Sequence, residues 1–350
     1  MSSRSTRSSK PAHTRAQHPE KTHPAPNPAG PPPAKPTQPK HPAERTQQRA
    51  RQQTASAPEF IGMDIGGTKI AAGGVTPEGH LTWRRQTPTP KGGPEEVFAA
   101  LAALIQGTTP TAVGIGCAGP IDLIAGTVSP VNIPGWRDFP LKARVEDLIR
   151  TPVELAGDGL CMAAAEHWAG AGRGTDNMVG LVVSTGVGGG LIVNGQPHPG
   201  RTGNAGHIGH IVVDDSGIPC PCGGRGCVET VASGPNLVRW ARRQGWRAPA
   251  NADAAHLAAA ALHGDGVAKA AFDRAGRAVG RAILATAVLA DLDLAVVGGG
   301  VAQAGDLLFA PIRAAIVEHV GLSYVRRLKV VPAELGADAG IVGAAALVAR

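Results

Sequence analysis

Glu59-Phe60-Ile61-Gly62-Met63-Asp64-Ile65-Gly66-Gly67-Thr68-Lys69 is the stretch that decides the fold. Residues 59–65 read as a buried strand. Gly66-Gly67-Thr68 turns the chain into a second strand, Lys69 to Val75, and Thr76-Pro77-Glu78-Gly79 turns it into a third. The device returns more than a hundred residues later, where Val179 to Val183 and Leu191 to Val193 read as strands joined through Ser184-Thr185-Gly186-Val187-Gly188-Gly189-Gly190. Around these hairpins, strands and helices alternate. Pro94 to Gln106 is a helix with proline at its start, and Ala112 to Cys117 is a strand. Pro152 to Leu155 is a short strand leading to a helix from Asp158 to about Trp168. Gly266 to Leu289 is a long Ala-rich helix, Leu294 to Val297 a buried strand, and about Gly340 to Val348 a last helix. Hairpins followed by alternating helices predict a mixed α/β core. Their recurrence predicts two similar halves around a cleft.

Composition divides the 350 residues. Residues 2–57 hold no Val, Ile, Leu, Phe, Trp or Tyr, but eleven prolines. They carry ten Lys or Arg against Glu20 and Glu44, a net charge of +8. The whole chain is +7, so residues 58–350 sum to −1. Basicity therefore gives the folded part no case for binding nucleic acid. With nothing large and apolar to bury, residues 1–57 are expected to be a disordered, basic, Pro-rich tail. The remaining 293 residues suffice for two domains with real cores. No apolar run reaches the roughly 18 residues of a membrane span. Cys117 and Cys161 lie in apolar contexts and read as core residues.

A phosphate can lie close to backbone amides where glycine leaves no Cβ in the way. Gly66-Gly67-Thr68-Lys69 and Thr185-Gly186 to Gly190 both suit this, and Lys69 can reach a phosphate oxygen or stand solvated on its strand. Gly298-Gly299-Gly300 after a buried strand adds a third such turn. Gly-x4-Gly-Lys-Ser/Thr is absent, so neither hairpin is a Walker loop. A dinucleotide fold would place its glycines in one βαβ unit. The three turns together point to ATP. Asp158, after a strand and Gly157, reads either as a helix N-cap or as a general base for phosphoryl transfer.

His210 and Cys220-Pro221-Cys222-Gly223-Gly224-Arg225-Gly226-Cys227 supply a Cys3His set, enough to close a tetrahedral zinc site. The alternatives are a disulfide or buried free thiols. Glu229 lies two residues past the last ligand, so a metal would fix its position.

These motifs resemble the ROK family, the group named for repressors, open reading frames and sugar kinases. The resemblance covers about residues 59–350. It rests on Asp64-Ile-Gly-Gly-Thr-Lys69, Gly114-Ile-Gly-Cys-Ala-Gly-Pro120, Asn132-Ile-Pro-Gly-Trp136, Ser184-Thr-Gly-Val-Gly188, Gly209-His210 and the cysteine loop through Glu229. It implies the actin/hexokinase-like (ribonuclease H-like) ATPase fold, two α/β domains hinged about an ATP cleft. The expected boundaries are a small domain at 58–156 with the C-terminal helix 340–350, and a larger domain at 157–339 with the zinc loop. The resemblance further implies a structural Zn²⁺ on His210, Cys220, Cys222 and Cys227, with ATP and its Mg²⁺ bound by Asp64 and the first hairpin. Asp158 would be the catalytic base, and Asn132, Asp158, His207, His210 and Glu229 would contact the sugar. The nucleotide residues would be Gly66, Gly67, Thr68, Lys69, Thr185, Gly186, Gly188 and Gly298 to Gly300.

Two positions depart from the family pattern. Sugar kinases of the family usually have Asn before the catalytic Asp, where this chain has Gly157. They usually read Glu-x-Gly-His, where this chain has His207-Ile208-Gly209-His210. Losing a partner to a buried hydroxyl costs about 1–3 kcal/mol, and His207 can restore one contact as donor or acceptor. The expected function is ATP-dependent phosphorylation of a hexose, glucose first, at its 6-hydroxyl. The alternatives are an N-acetylglucosamine or N-acetylmannosamine kinase and, in another class, a sugar-responsive regulator or a non-catalytic sugar-binding protein. Family regulators carry an N-terminal winged helix, which residues 2–57 cannot build. A cytoplasmic dimer or tetramer is expected, with no nucleic-acid or membrane partner.

Overall fold

A computed structural model describes residues 59–349. The expectation for residues 1–57 lies outside them. The first sheet contains β1 (Phe60–Ile65), β2 (Lys69–Val75), β3 (Leu81–Pro88), β4 (Ala112–Cys117) and β7 (Val153–Gly157), in the order β3-β2-β1-β4-β7. The first three strands form an antiparallel meander, while β4 and β7 join parallel to β1. Helix α1 (Pro94–Ile105) connects β3 to β4. A small hairpin, β5 (Ile121–Asp122) with β6 (Thr127–Val128), and helix α2 (Leu141–Ile149) follow before β7.

The second sheet repeats this plan. It contains β8 (Met178–Val183), β9 (Val187–Val193), β10 (Gln196–His198), β11 (Leu294–Gly298) and β12 (Lys329–Pro332), in the order β10-β9-β8-β11-β12. Here too a meander of three is extended by two parallel strands. The recurrence predicted from the two glycine hairpins is thus a repeat of sheet topology.

Helix α3 (Asp158–Ala169) runs directly out of β7 and packs on β8 and β9. The short α4 (Val228–Ala232), α5 (Gly234–Arg243), α6 (Ala254–Leu262) and the long α7 (Gly266–Ala290) lie between β10 and β11. Helix α8 (Asp306–His319) precedes β12 and packs against α7. The last helix, α9 (Ala339–Ala346), lies against β1, β4 and α3. Three glycines allow that approach. A Cβ on Gly62 would overlap the Ile341 carbonyl, one on Gly114 the Ala344 carbonyl, and one on Gly343 the Cys161 carbonyl.

The cores follow the sheets. Ile61, Met63, Ile65, Leu101, Ile115, Trp136 and Leu141 fill the first. Val179, Leu181, Phe272, Ile283, Val297 and Ile312 fill the larger second core. Cys117 and Cys161 are buried free thiols, and burial pushes both upward in pKa. No helix among the described residues is long and apolar enough to cross a membrane.

One expected loop is shorter in the structure. β9 begins at Val187, so only Ser184 to Gly186 make the turn, and Gly188, Gly189 and Gly190 pair with Val182, Leu181 and Gly180. The cause is packing. A Cβ on Gly190 would overlap the Leu160 backbone, and Gly159 is held equally close to Gly189. Glycine in this strand lets α3 approach the sheet.

Candidate active site

A cleft of about 1090 Å³ is lined by both halves of the repeat. Asp64 and Lys69 come from the first hairpin, Asn132 from the segment after β6, and Asp158 from the start of α3. Thr185, Gly186 and Gly188 come from the second hairpin, Gly298 to Gly300 from the end of β11, and His207 and Glu229 from the segments after β10. Most residues expected at a site thus meet in one cavity.

Asp158 occupies the first turn of α3, but it does not cap that helix. Gly157 is the N-cap, with extended backbone (φ −66°, ψ 146°), and no side chain caps the turn. The Asp158 Oδ1 instead accepts from the adjacent Gly159 amide at 2.7 Å. Its carboxyl is open to water on the cleft side and crowded by protein elsewhere. The crowding raises its pKa, and the backbone hydrogen bonds partly oppose this. Asp64 is also raised, first by burial. Lys69 and Arg84 pull it down, while the Asp158 carboxylate pushes it up. Two carboxylates with raised pKa values, lining one cavity with a lysine, suit a site that handles a proton and a phosphoryl group together.

Glu229 lines the same cavity from the first turn of α4, after its N-cap, Cys227, and Val228. Its Oε2 accepts from the Val187 amide at 2.9 Å. A Cβ on Gly186 would come within 2.7 Å of that oxygen, so glycine in this turn leaves room for the carboxylate. His207 faces the cleft, and burial followed by the neighbouring His210 lowers its pKa. The two imidazole centroids are 6.0 Å apart.

The glycines divide by task. Gly299 has φ +94°, and a Cβ there would overlap the Val183 carbonyl. Gly67 makes room for the Asn132 side chain. Gly188 has nothing within 4 Å of a built Cβ, so its open side belongs to the cleft. Gly66, Gly67 and Thr68 form the β1–β2 turn but do not themselves line the cavity. That turn is tied down where the Thr89 hydroxyl donates to the Gly66 carbonyl at 2.6 Å.

His210, Cys220, Cys222 and Cys227 converge beside the cleft, with one potential ligand atom from each lying within 4.8 Å of all the others. Cys220 Sγ is 3.7 Å from His210 Nδ1, and Cys222 Sγ is 3.8 Å from Cys227 Sγ. A tetrahedron with Zn–S bonds of about 2.3 Å has S–S edges of about 3.8 Å, whereas a disulfide needs about 2.05 Å. The cysteines are free, so the donor set and spacing fit a zinc ion. Burial raises the Cys227 thiol to about 12 and also raises Cys220. The Gly224 amide, donating to Cys222 Sγ, lowers that thiol. Bridges from Val212 to Cys227 and from Pro219 to Arg225 close the loop. His210 belongs to this cluster and does not line the cavity.

Sequence reasoning missed the far end of the cleft. Gln303, Asp306, Phe309 and Arg313 line it from around α8, and Pro332, Ala333, Gly336, Ala337, Ala339 and Gly340 line it from the end of β12 onward. These residues carry no motif, because they supply shape and scattered contacts.

The chain belongs to the ROK family, whose model matches residues 60–350. It is 36% identical over 309 residues to a glucokinase of Thermotoga maritima, covering 83% of this chain and 97% of that one. It is 37% identical over 289 residues to an N-acetylmannosamine kinase of Yersinia pseudotuberculosis, covering 81% and 96%. Among solved structures it resembles a ROK family glucokinase from Streptomyces griseus in complex with glucose and AMPPNP. That match has 37% identity and a TM-score of 0.71, and covers 83% of this chain and 98% of that one.

Proposed function

We propose that the chain is an ATP-dependent hexose kinase that phosphorylates glucose at its 6-hydroxyl. The observation that carries this reading is the placement of Asp158. It is a water-accessible carboxylate with a raised pKa that does not cap its helix, and it lines one cleft with Asp64, Lys69 and the Gly298–Gly300 turn. Asp158 takes the proton of the sugar hydroxyl as that oxygen attacks the γ-phosphoryl in line. General-base help of this kind is worth roughly 10²–10⁴-fold. Thr185, Gly186, Gly188 and Gly298 to Gly300 cradle the nucleotide, with the Gly66-Gly67-Thr68 turn behind Lys69. Mg²⁺ arriving with ATP neutralises phosphate charge, and Asp64 is the carboxylate that faces it. Glu229, His207 and Asn132 orient the sugar, and closure of the cleft keeps water from competing with it.

His210, Cys220, Cys222 and Cys227 hold a structural Zn²⁺ that fixes the loop presenting Glu229. The working form is a cytoplasmic dimer or tetramer.

A second reading has its own support. A Cβ on Gly157 would find only the Gly203 carbonyl, 4.0 Å away. The asparagine usual in the family would occupy that space, which suits the 2-substituent of N-acetylmannosamine or N-acetylglucosamine. A coupled assay of kcat/KM on glucose, mannose and both N-acetylhexosamines separates the readings. Glucose is expected to lead. A hundredfold preference for an N-acetyl sugar would replace the first reading with the second.

A further inference from the structure

Glu166 is a fully buried carboxylate, 0% exposed, in the last turn of α3, outside the cleft lining. Among the described residues it forms no ion pair. Backbone amides satisfy it instead. Oε2 accepts from Ala171 at 2.9 Å, Oε1 accepts from Leu335 at 2.9 Å, and the Glu334 amide reaches both oxygens at 3.1 Å. A carboxyl group buried this completely needs hydrogen-bond partners in place of water, and these amides provide them.

Two of those amides belong to the turn after β12. Pro332 and Ala333 line the cleft just before them, and Gly336 and Ala337 line it just after. The turn is anchored on its other side where the Ala333 amide donates to the Val297 carbonyl at 3.0 Å, next to the Gly298–Gly300 turn. Glu166 therefore ties the helix that begins with Asp158 to the wall of the glycine-turn half of the cleft.

We infer that Glu166 is a positioning residue for the nucleotide. It holds residues 333–337 in the shape that ATP meets, without touching ATP. This rests on the kinase reading above. The conservative change Glu166→Gln keeps the volume and one acceptor but turns an NH2 group toward backbone N–H donors.

The test is calorimetric binding of a non-hydrolysable ATP analogue with Mg²⁺, and separately of glucose, to the full chain, with hydrogen exchange followed over residues 331–337. Glu166→Gln is expected to weaken nucleotide binding about tenfold and to speed exchange in that segment by a similar factor. Glucose binding should stay within about twofold, because Glu166 hydrogen-bonds only the Ala171, Glu334 and Leu335 amides and none of Asn132, His207 or Glu229. Glu334→Ala keeps the amide and removes only an exposed side chain, so it should leave all three readouts unchanged. If Glu166→Gln does not fold, Glu334→Pro removes one donor from the other end, and the same selective nucleotide loss is expected. Equal weakening of sugar and nucleotide, or unchanged nucleotide binding by a folded variant, overturns the inference. A parent chain that binds no nucleotide overturns the kinase reading and this role with it. Only in that case is the parent itself silent.

Discussion

The Glu229 carboxylate accepts a hydrogen bond from the Val187 amide at 2.9 Å, joining the first turn of α4 to the second glycine hairpin. Cys227, two residues earlier, is both the N-cap of that helix and a member of the Cys3His cluster. The cluster and the cleft therefore share one short rigid connection. Purified protein is expected to contain about one zinc per chain. Structural zinc contributes about 10–16 kcal/mol of apparent binding energy in small peptides, so Cys222→Ser should lower thermal stability and activity together. Elemental analysis finding far less than one equivalent in active protein contradicts this.

The pKa of Asp158 is raised in the folded state, chiefly by the protein that buries its inner side, and water on the cleft side screens part of that effect. A carboxyl raised on folding favours the native state when protonated, and that advantage is lost as pH rises through the folded pKa. Asp158→Asn should therefore raise the melting temperature at neutral pH. The gain should disappear below about pH 4, where the unfolded carboxyl is protonated as well. A lower melting temperature at pH 7 contradicts the burial argument and points to a structural role for the charge.

The seam between α9 and the first sheet has no spare room, since a Cβ on Gly343 would overlap the Cys161 carbonyl. Gly343→Ala is expected to destabilise the protein by about 1–3 kcal/mol or more, as over-packing does. Denaturant titration measures this directly, and a change under about 0.5 kcal/mol, typical of a surface site, would show that the helix shifts freely.

Gly157 is an extended N-cap with space above it, so Gly157→Asn should fold normally, since Asn caps better than Gly by a few tenths of a kcal/mol. Combined with His207→Glu, it is expected to lower the KM for glucose. If the site is instead shaped for an N-acetyl sugar, the same double change costs activity on that sugar. No change beyond about twofold on any sugar would mean that neighbours already compensate at both positions.

The two hairpins, the recurrence of the sheet and the convergence of the Cys3His side chains were legible in the sequence because each depends on a few residues at fixed spacing. Gly66-Gly67-Thr68 suits a turn between strands, and a tight glycine loop is what brings Cys220, Cys222 and Cys227 together. The role of Gly188 to Gly190 was not legible, since a glycine run reads alike whether it makes room for a phosphate or for helix α3. Asp158 was ambiguous for a similar reason. Whether it caps α3 or faces the cleft depends on one residue of register, and the structure gives the cap to Gly157. Glu166 gave no local signal, because two of its three partner amides, Glu334 and Leu335, lie 168 and 169 residues away.

The central claim is that Asp158 serves as the base of a sugar kinase, and steady-state phosphorylation of glucose by ATP, in parent and Asp158→Ala, tests it most directly. The parent should form glucose 6-phosphate. The variant should lose roughly 10²–10⁴-fold in kcat while unfolding as cooperatively as the parent. A folded variant with kcat within tenfold of the parent would contradict the account.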